Sequence, residues 1–342
     1  MTESRPISAQ ANAVARQLAG EGCELRQLAS GGRNSRIYRV DSGGRSYALK
    51  QYPSREFDPR NRLATEVGAL RLMEQAGLGG VPRVVAVAPE QGYALLSWIE
   101  GAVPDALGDS DIDAAASFLG AIHALRMAPW AMQQPAAAEA CLSPAEIARQ
   151  LAARRSHLQS VLPDNAELAD FLEKTFDPTH RARLAEARAS LDAGRLDFGS
   201  ELPQERRSLV PSDFGFHNSL RRPDGSLAFV DFEYFGWDDP VKLTADILLH
   251  PGHQLSASHR QRFRRAAVAL YGTDDADFET RLGALLPLFA LRWTLILLNE
   301  FIPERWQNRL LAGTTESWDA AKSRQLDRAR DLLSSLATTL ER

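Results

Sequence analysis

Asp213 and Asn218 lie in the stretch Pro211-Ser212-Asp213-Phe214-Gly215-Phe216-His217-Asn218, and Asp231 closes the apolar run Leu227-Ala228-Phe229-Val230. These three residues constrain the chain more than anything else in it. A carboxylate ending an apolar strand is costly to bury alone, so the fold must bring it to a cation or leave the strand tip solvated. Alternation along that strand predicts Leu227, Phe229 and Asp231 on one face. Taken singly, Asp213 and Asn218 read as turn or cap residues. Taken jointly, an Asp, four residues, an Asn and a further Asp on the next strand form the set that phosphoryl transfer from a metal-bound nucleotide requires. Asp213 can accept the proton of a substrate hydroxyl, while the Asn218 amide oxygen and the Asp231 carboxylate can hold Mg²⁺ between phosphate oxygens.

The upstream half of such a site is present in order. Ala48-Leu49-Lys50 ends a strand-like run after the Ser42-Gly43-Gly44-Arg45 turn, which makes Lys50 the candidate phosphate-binding lysine. Leu63, Val67, Leu70 and Met73 mark the inward stripe of the following helix, and Glu66 falls on that side. A carboxylate there needs a positive partner, and Lys50 is the nearest candidate in the chain. Ahead of them, Ser30-Gly31-Gly32-Arg33-Asn34-Ser35 can present backbone N–H groups to phosphate. A glycine pair between strands is also a plain hairpin signal, and no Walker lysine accompanies it.

Together these residues resemble the aminoglycoside phosphotransferase and choline kinase superfamily, whose members have a protein-kinase-like fold. The resemblance runs from Gly31, Gly32 and Asn34 through Lys50, Glu66, the hinge-like Leu95-Leu96-Ser97-Trp98-Ile99-Glu100-Gly101 and the helical Leu119-Gly120-Ala121-Ile122-His123 to Asp213, Asn218 and Asp231-Phe232-Glu233. It implies ATP as donor and Mg²⁺ as cofactor, with Asp213 as catalytic base, Asn218 and Asp231 as metal ligands and Lys50 on the phosphates. It also implies that the backbone of Ser97, Trp98 and Ile99 meets the adenine ring. His123, alone on an apolar helix, reads as a packed structural residue. The implied fold is α+β and bilobal. Residues 1–100 would form a small antiparallel-sheet lobe with one helix that binds nucleotide, and residues 101–342 a larger, mainly helical catalytic and acceptor lobe. Two departures mark a divergent branch. Pro211-Ser212 stands where the family writes His-Gly, and Leu243 stands where it writes the Asp of Asp-Leu-Ala, with Asp246 as the candidate replacement.

The 342 residues suffice for two cores, and 44% hydrophobic with 25% charged is ordinary for a globular enzyme. A net charge of −4 gives no nucleic-acid surface. Two cysteines, Cys23 and Cys141, make neither a disulfide framework nor a metal motif, so a reducing cytoplasm is expected. The start of the chain leads into a polar helix without a signal-peptide core. Leu285 to Phe301 is the most apolar stretch, but Pro287, Arg292, Asn299 and Glu300 interrupt it, which predicts a buried helix and no membrane span.

Strands are expected near 25–30, 36–41, 46–52, 83–88 and 92–98, and a helix near 60–76. Ser143-Pro144-Ala145-Glu146 is a helix start, Asp164 to Glu167 and Thr179 open two more helices, and Gly194 stops the last of these. Ala131 to Ala140 reads as a surface connection. The helical insertion at about 140–205 lies where the family builds part of its acceptor pocket. Between Pro135 and Ser208 it carries 12 acids and 10 bases, without the acidic excess that a polycationic antibiotic calls for. Trp98, Trp237, Trp293 and Trp306 either support a sugar face or ammonium group or pack in the core. Arg292 and Glu300 either line the same pocket or satisfy one another. The leading expectation is a small-molecule kinase acting on a hydroxyl of a sugar, amino sugar or amino alcohol. A nucleotide-binding regulatory protein without transfer activity is the alternative, and a metal-dependent phosphohydrolase is disfavoured because such sites need more clustered carboxylates or histidines than the Asp213 loop offers.

Overall fold

The computed structural model describes residues 7–28, 35–54, 60–253, 255–312, 314 and 316–339. Two compact units are present, one from Met1–Ala138 with Leu209–Trp237 and the other from Glu139–Ser208 with Asp238–Arg342.

The first unit opens with α1 (Ala9–Ala19), started by Ser8, whose Oγ accepts from the Ala11 N–H at 3.1 Å. Then follow β1 (Glu24–Gln27), β2 (Arg36–Ser42), β3 (Arg45–Gln51), α2 (Arg62–Gln75), β4 (Val84–Ala88) and β5 (Tyr93–Ser97). All five strands pair antiparallel in the order β1-β2-β3-β5-β4. The β2–β3 turn puts Gly43 at φ 57° and Gly44 at φ 74°, the doubly left-handed geometry that a two-residue hairpin needs and that glycine supplies without strain. The register follows: Lys50 stands opposite Ile37 on one side and Ala94 on the other, so its place in a central strand is fixed by both neighbours. Tyr38, Val40, Leu49, Tyr93 and Leu95 pack against Ala11, Val14 and Ala15 of α1. On α2 the buried residues are Arg62, Glu66, Val67, Ala69, Leu70, Leu72 and Met73, while Leu63 is only half-buried. The inward stripe thus begins on an arginine, not on a leucine.

Further along the unit, α3 (Asp109–Ala124) sends Phe118 against Phe229 at 4.5 Å and Phe214 at 5.7 Å between ring centres, and buries His123. Those aromatics anchor the two segments that carry Asp213 and Asp231. After β6 (Ser208–Val210), β7 (Ser219–Arg221) and β8 (Leu227–Phe229) form an antiparallel hairpin, and β9 (Gly236–Asp238) follows. The expected surface connection holds at Met132, Gln133, Pro135 and Ala136, which are exposed, but it is pinned inward at Ala131 and Ala137. Both of these alanines are buried, Ala136 bridges Trp237, and the Trp237 indole donates to the Ala131 carbonyl at 2.9 Å. Small side chains serve there for close backbone approach. A Cβ on Gly236 would meet the Pro135 carbonyl oxygen and the Ala137 nitrogen at 2.5 Å. Gly236→Ala is therefore expected to lower stability by about 1–3 kcal/mol, read as a fall in the denaturation midpoint.

The second unit is helical. Ser143 caps α4 (Pro144–His157) as expected, its Oγ accepting from the Glu146 N–H at 3.1 Å. Helix α5 (Ala166–Phe171) does not stop before the next helix. It runs through a π turn at Leu172–Phe176 into α6 (Asp177–Ala193), so α6 begins two residues before Thr179, and Pro178, which has no amide to donate, directly follows the π turn. Gly194 ends it. Next come α7 (Pro240–Leu249), α8 (Ala257–Tyr271), α9 (Phe278–Leu297), α10 (Pro303–Ala312) and α11 (Trp318–Thr339). Helix α9 packs against α4, α6, α7 and α11. The span Phe278–Phe301 is long and apolar enough to cross a membrane by composition, but 78% of its apolar window is buried inside the protein, which identifies a core helix.

Candidate active site

Three elements of the first unit deliver charge to one point. Lys50 at the end of β3 is buried, and its Nζ donates to Glu66 Oε2 of α2 at 2.6 Å and to Asp231 Oδ1 at 2.7 Å, with Glu233 Oε2 at 3.3 Å. Burial opposes the ammonium charge, yet Glu66, then Asp231, then Glu233 hold the Lys50 pKa well above its ordinary value. Glu66 is fixed in turn: Oε2 also accepts from the Tyr52 hydroxyl at 2.8 Å, and Oε1 accepts from the Phe232 N–H at 3.2 Å. Burial, with the Glu66 charge beside it, keeps Tyr52 well above the usual phenol range and therefore a donor. Glu233 accepts from Arg62 Nη1 at 2.5 Å and from Ser35 Oγ at 2.8 Å.

Asp231 is not the last residue of the strand. β8 ends at Phe229, and Asp231 stands at φ 69° in the left-handed region, so it does not continue the Leu227–Phe229 face. The turn aims its carboxylate at Lys50 instead. Burial pushes the Asp231 carboxyl up to about 7; Lys50 opposes this, and the charges of Glu233 and Glu66 add to it. Non-glycine residues with positive φ are uncommon, and they gather at functional turns. Ser212, directly before Asp213, is another, at φ 69°. That conformation accounts for glycine at this place in the family pattern, and Ser212 adopts it with its hydroxyl 3.4 Å from the Ala138 carbonyl.

The Asp213 loop is built on its own backbone. Asn218 Nδ2 donates to the Asp213 carbonyl at 2.9 Å, which turns the amide oxygen the other way. The Asn218 carbonyl accepts from the Val230 N–H at 2.9 Å, tying the loop to the segment that ends in Asp231. His217 Nε2 lies 3.2 Å from Asp213 Oδ1.

Lys50, Glu66 and Asp231 are therefore brought into direct contact, and Asp213 and Asn218 are joined to each other and, through Val230, to the Asp231 turn. Ser97, Trp98 and Ile99 make no contact with that cluster among the described residues. The Ser97 amide is committed to the Arg83 carbonyl at 2.8 Å, and the Trp98 indole donates to Glu100 at 2.8 Å. Gly31, Gly32 and Asn34 lie outside the described residues. Glu233, Arg62, Tyr52, Ser35 and His217 join the constellation without having been assigned a role from the sequence. For Glu233 a signal existed, since it closes the run Asp231-Phe232-Glu233 that carries the resemblance. For the others hydropathy gave none.

Several sequence alternatives close in the second unit. Arg292 and Glu300 do not satisfy one another. Arg292 donates to Glu139 at 2.7 Å and to Gln150 at 3.1 Å, and Glu300 accepts from Arg309 Nε at 2.8 Å. Asp246 accepts from the Trp293 indole at 2.8 Å and pairs with Lys242 at 3.1 Å. Trp306 stacks on Trp318 at 6.1 Å, and both it and Trp237 are buried packing residues.

The model of the phosphotransferase enzyme family matches residues 24–282. No curated protein sequence matches. Among solved structures, spectinomycin phosphotransferase in complex with ADP and spectinomycin is 15% identical, with 96% of this chain and 99% of that chain covered at a TM-score of 0.63. Choline kinase from Streptococcus pneumoniae is 17% identical over 96% of this chain and 100% of that one, TM-score 0.58. A choline/ethanolamine kinase family protein from Mesorhizobium loti is 19% identical over 97% of each chain, TM-score 0.57. These likenesses establish the α+β, protein-kinase-like fold, with its small antiparallel sheet and larger helical region. By the family match, which spans the residues from β1 to α9, this chain belongs to the phosphotransferase enzyme family and is an ATP-dependent phosphotransferase that acts on hydroxyl groups.

Proposed function

We propose that the chain moves the γ-phosphoryl group of ATP to a hydroxyl of a small metabolite such as a sugar, amino sugar or amino alcohol. Asp213 orients the hydroxyl and takes its proton, and Lys50, held by Glu66, grips the donor phosphates. Ser97, Trp98 and Ile99 meet the adenine, and Gly31, Gly32 and Asn34, outside the described residues, are assigned to nucleotide binding. The observation that carries the reading is the Lys50 ammonium bound at once by Glu66, 16 positions away, and Asp231, 181 positions away. A purely structural lysine would need neither three carboxylates nor a left-handed turn to aim one of them.

Magnesium fits this set in one way. Oxygens of Glu66, Asp231 and Glu233 converge within 4.8 Å of one another, but Lys50 already fills that space. The hard oxygen donors suited to the ion are therefore the second Asp231 oxygen and the Asn218 amide oxygen. Held there, the ion would supply neutralisation of the charge that develops on phosphoryl transfer. Because Lys50 spends its donors on three carboxylates, gripping a phosphate requires that one of them yield. Asp231, the most exposed of the three, is the one placed to do so.

The near-neutral insertion argues against a polycationic acceptor, and the spectinomycin and choline named for related structures belong to those proteins. Incubation with ATP, Mg²⁺ and a panel of sugars, amino sugars and amino alcohols should yield ADP together with one acceptor heavier by a phosphoryl group. ATP binding without any acceptor-dependent ADP release would favour the regulatory alternative.

A further inference from the structure

We propose that Arg154 and Arg292, in the second unit, form a binding site for a small organic anion, and that Glu139 occupies it as a displaceable internal ligand. The proposal stands apart from the phosphoryl-transfer reading. Arg292 is buried, with its guanidinium fixed from behind by Gln150 Oε1 at 3.1 Å and flanked by Asp246 at 3.5 Å. Its outward Nη2 donates to Glu139 Oε2 at 2.7 Å, and Arg154 Nη2 donates to that same oxygen. Two forked guanidinium groups thus converge on one carboxylate oxygen. Nε and Nη1 of Arg154 have no protein partner among the described residues, so most of the donor capacity is unused. A free carboxylate or phosphate, able to offer two or three oxygens, matches two forks better.

Glu139 has the properties of a stand-in. Its side chain is 47% exposed, against 20% for Arg154 and 5% for Arg292, so it can leave without disturbing the core beneath. Its backbone is held at φ 54°, a conformation unfavourable for glutamate. Gln150 enforces it by donating to the carbonyls of Glu139 and Ala140, both at 3.2 Å. Burial works against the Glu139 charge, but Arg154 and Arg292 overcome it and hold the carboxyl below its ordinary range. Arg305 adds a third positive charge near Arg154. Without Glu139, the site would be two converging arginines in want of an anion.

The test is calorimetric titration of the full chain with inorganic phosphate and, separately, with succinate, in low-chloride buffer. The two probes separate a phosphate ligand from a carboxylate one. Glu139→Gln removes the competing charge and should tighten binding of at least one probe by roughly tenfold or more, the effect of about one charge-assisted hydrogen bond. Adding Arg154→Gln to that variant should abolish the gain. Glu139→Gly, which suits the left-handed backbone, gives the same reading if the glutamine variant folds poorly. Equal affinity in wild type, Glu139→Gln and Glu139→Gly, or a gain that survives Arg154→Gln, would overturn the proposal.

Discussion

Asp213→Ala should lower turnover by roughly 10²- to 10⁴-fold, the range for loss of a positioned general base, while leaving nucleotide affinity within about twofold of wild type. The separation follows from where Asp213 sits. Its carbonyl anchors Asn218, an interaction the alanine variant keeps, while the Lys50 ammonium on the donor side is bound by Glu66 and Asp231. The substitution removes the group that meets the acceptor proton, together with its contact to His217. Steady-state kinetics with the identified acceptor, paired with titration of a non-hydrolysable ATP analogue, reads both quantities. Loss of nucleotide binding in step with turnover would mean that Asp213 supports the donor site instead.

Asp231→Asn should have two effects of opposite sign. Binding of the magnesium-nucleotide complex is expected to weaken by roughly 10²-fold or more, since even partners one step removed from a metal carry 10- to 100-fold. The protein without nucleotide, measured above pH 7, should instead become more stable by about 1–2 kcal/mol, a rise of about 1–3 °C in Tm. The physical reason is the crowding of Asp231 by burial and by Glu233 and Glu66, which pushes its carboxyl up to about 7 and makes the ionised form costly in the folded state. An amide keeps the shape and drops the charge. Thermal melts with and without the magnesium-nucleotide complex check both halves, and a variant less stable in both conditions would show that the Lys50 contact outweighs the repulsion.

The parts of this site legible in the sequence were those written in local spacing. Asp213 and Asn218 lie in one loop whose geometry depends on few distant contacts. The five strands and α2 announce themselves by glycine turns and periodicity, and Ser143 caps its helix by the expected bond. What stayed hidden depends on tertiary contact. Arg62 reads as a surface residue by hydropathy, yet it is buried because Glu233, 171 positions away, neutralises it. The left-handed turns at Ser212 and Asp231 fall on residues that usually avoid them, so no glycine advertised them. The stretch from Ala131 to Ala137 reads as a surface connection and is largely one, but alanine says little about burial, and the facing Gly236 and Trp237 draw Ala131 and Ala137 inward. The partners of Arg292 come from Gln150 and Glu139, 142 and 153 positions earlier, beyond any helix-based pairing rule.

A crystal structure with magnesium and a non-hydrolysable ATP analogue tests the central claim most directly. The account predicts Lys50 Nζ on a phosphate oxygen and still on Glu66, the ion held by Asn218 and Asp231, and the Asp213 carboxylate facing the terminal phosphate. An analogue whose phosphates lie away from Lys50, or an ion that touches neither Asn218 nor Asp231, would contradict it.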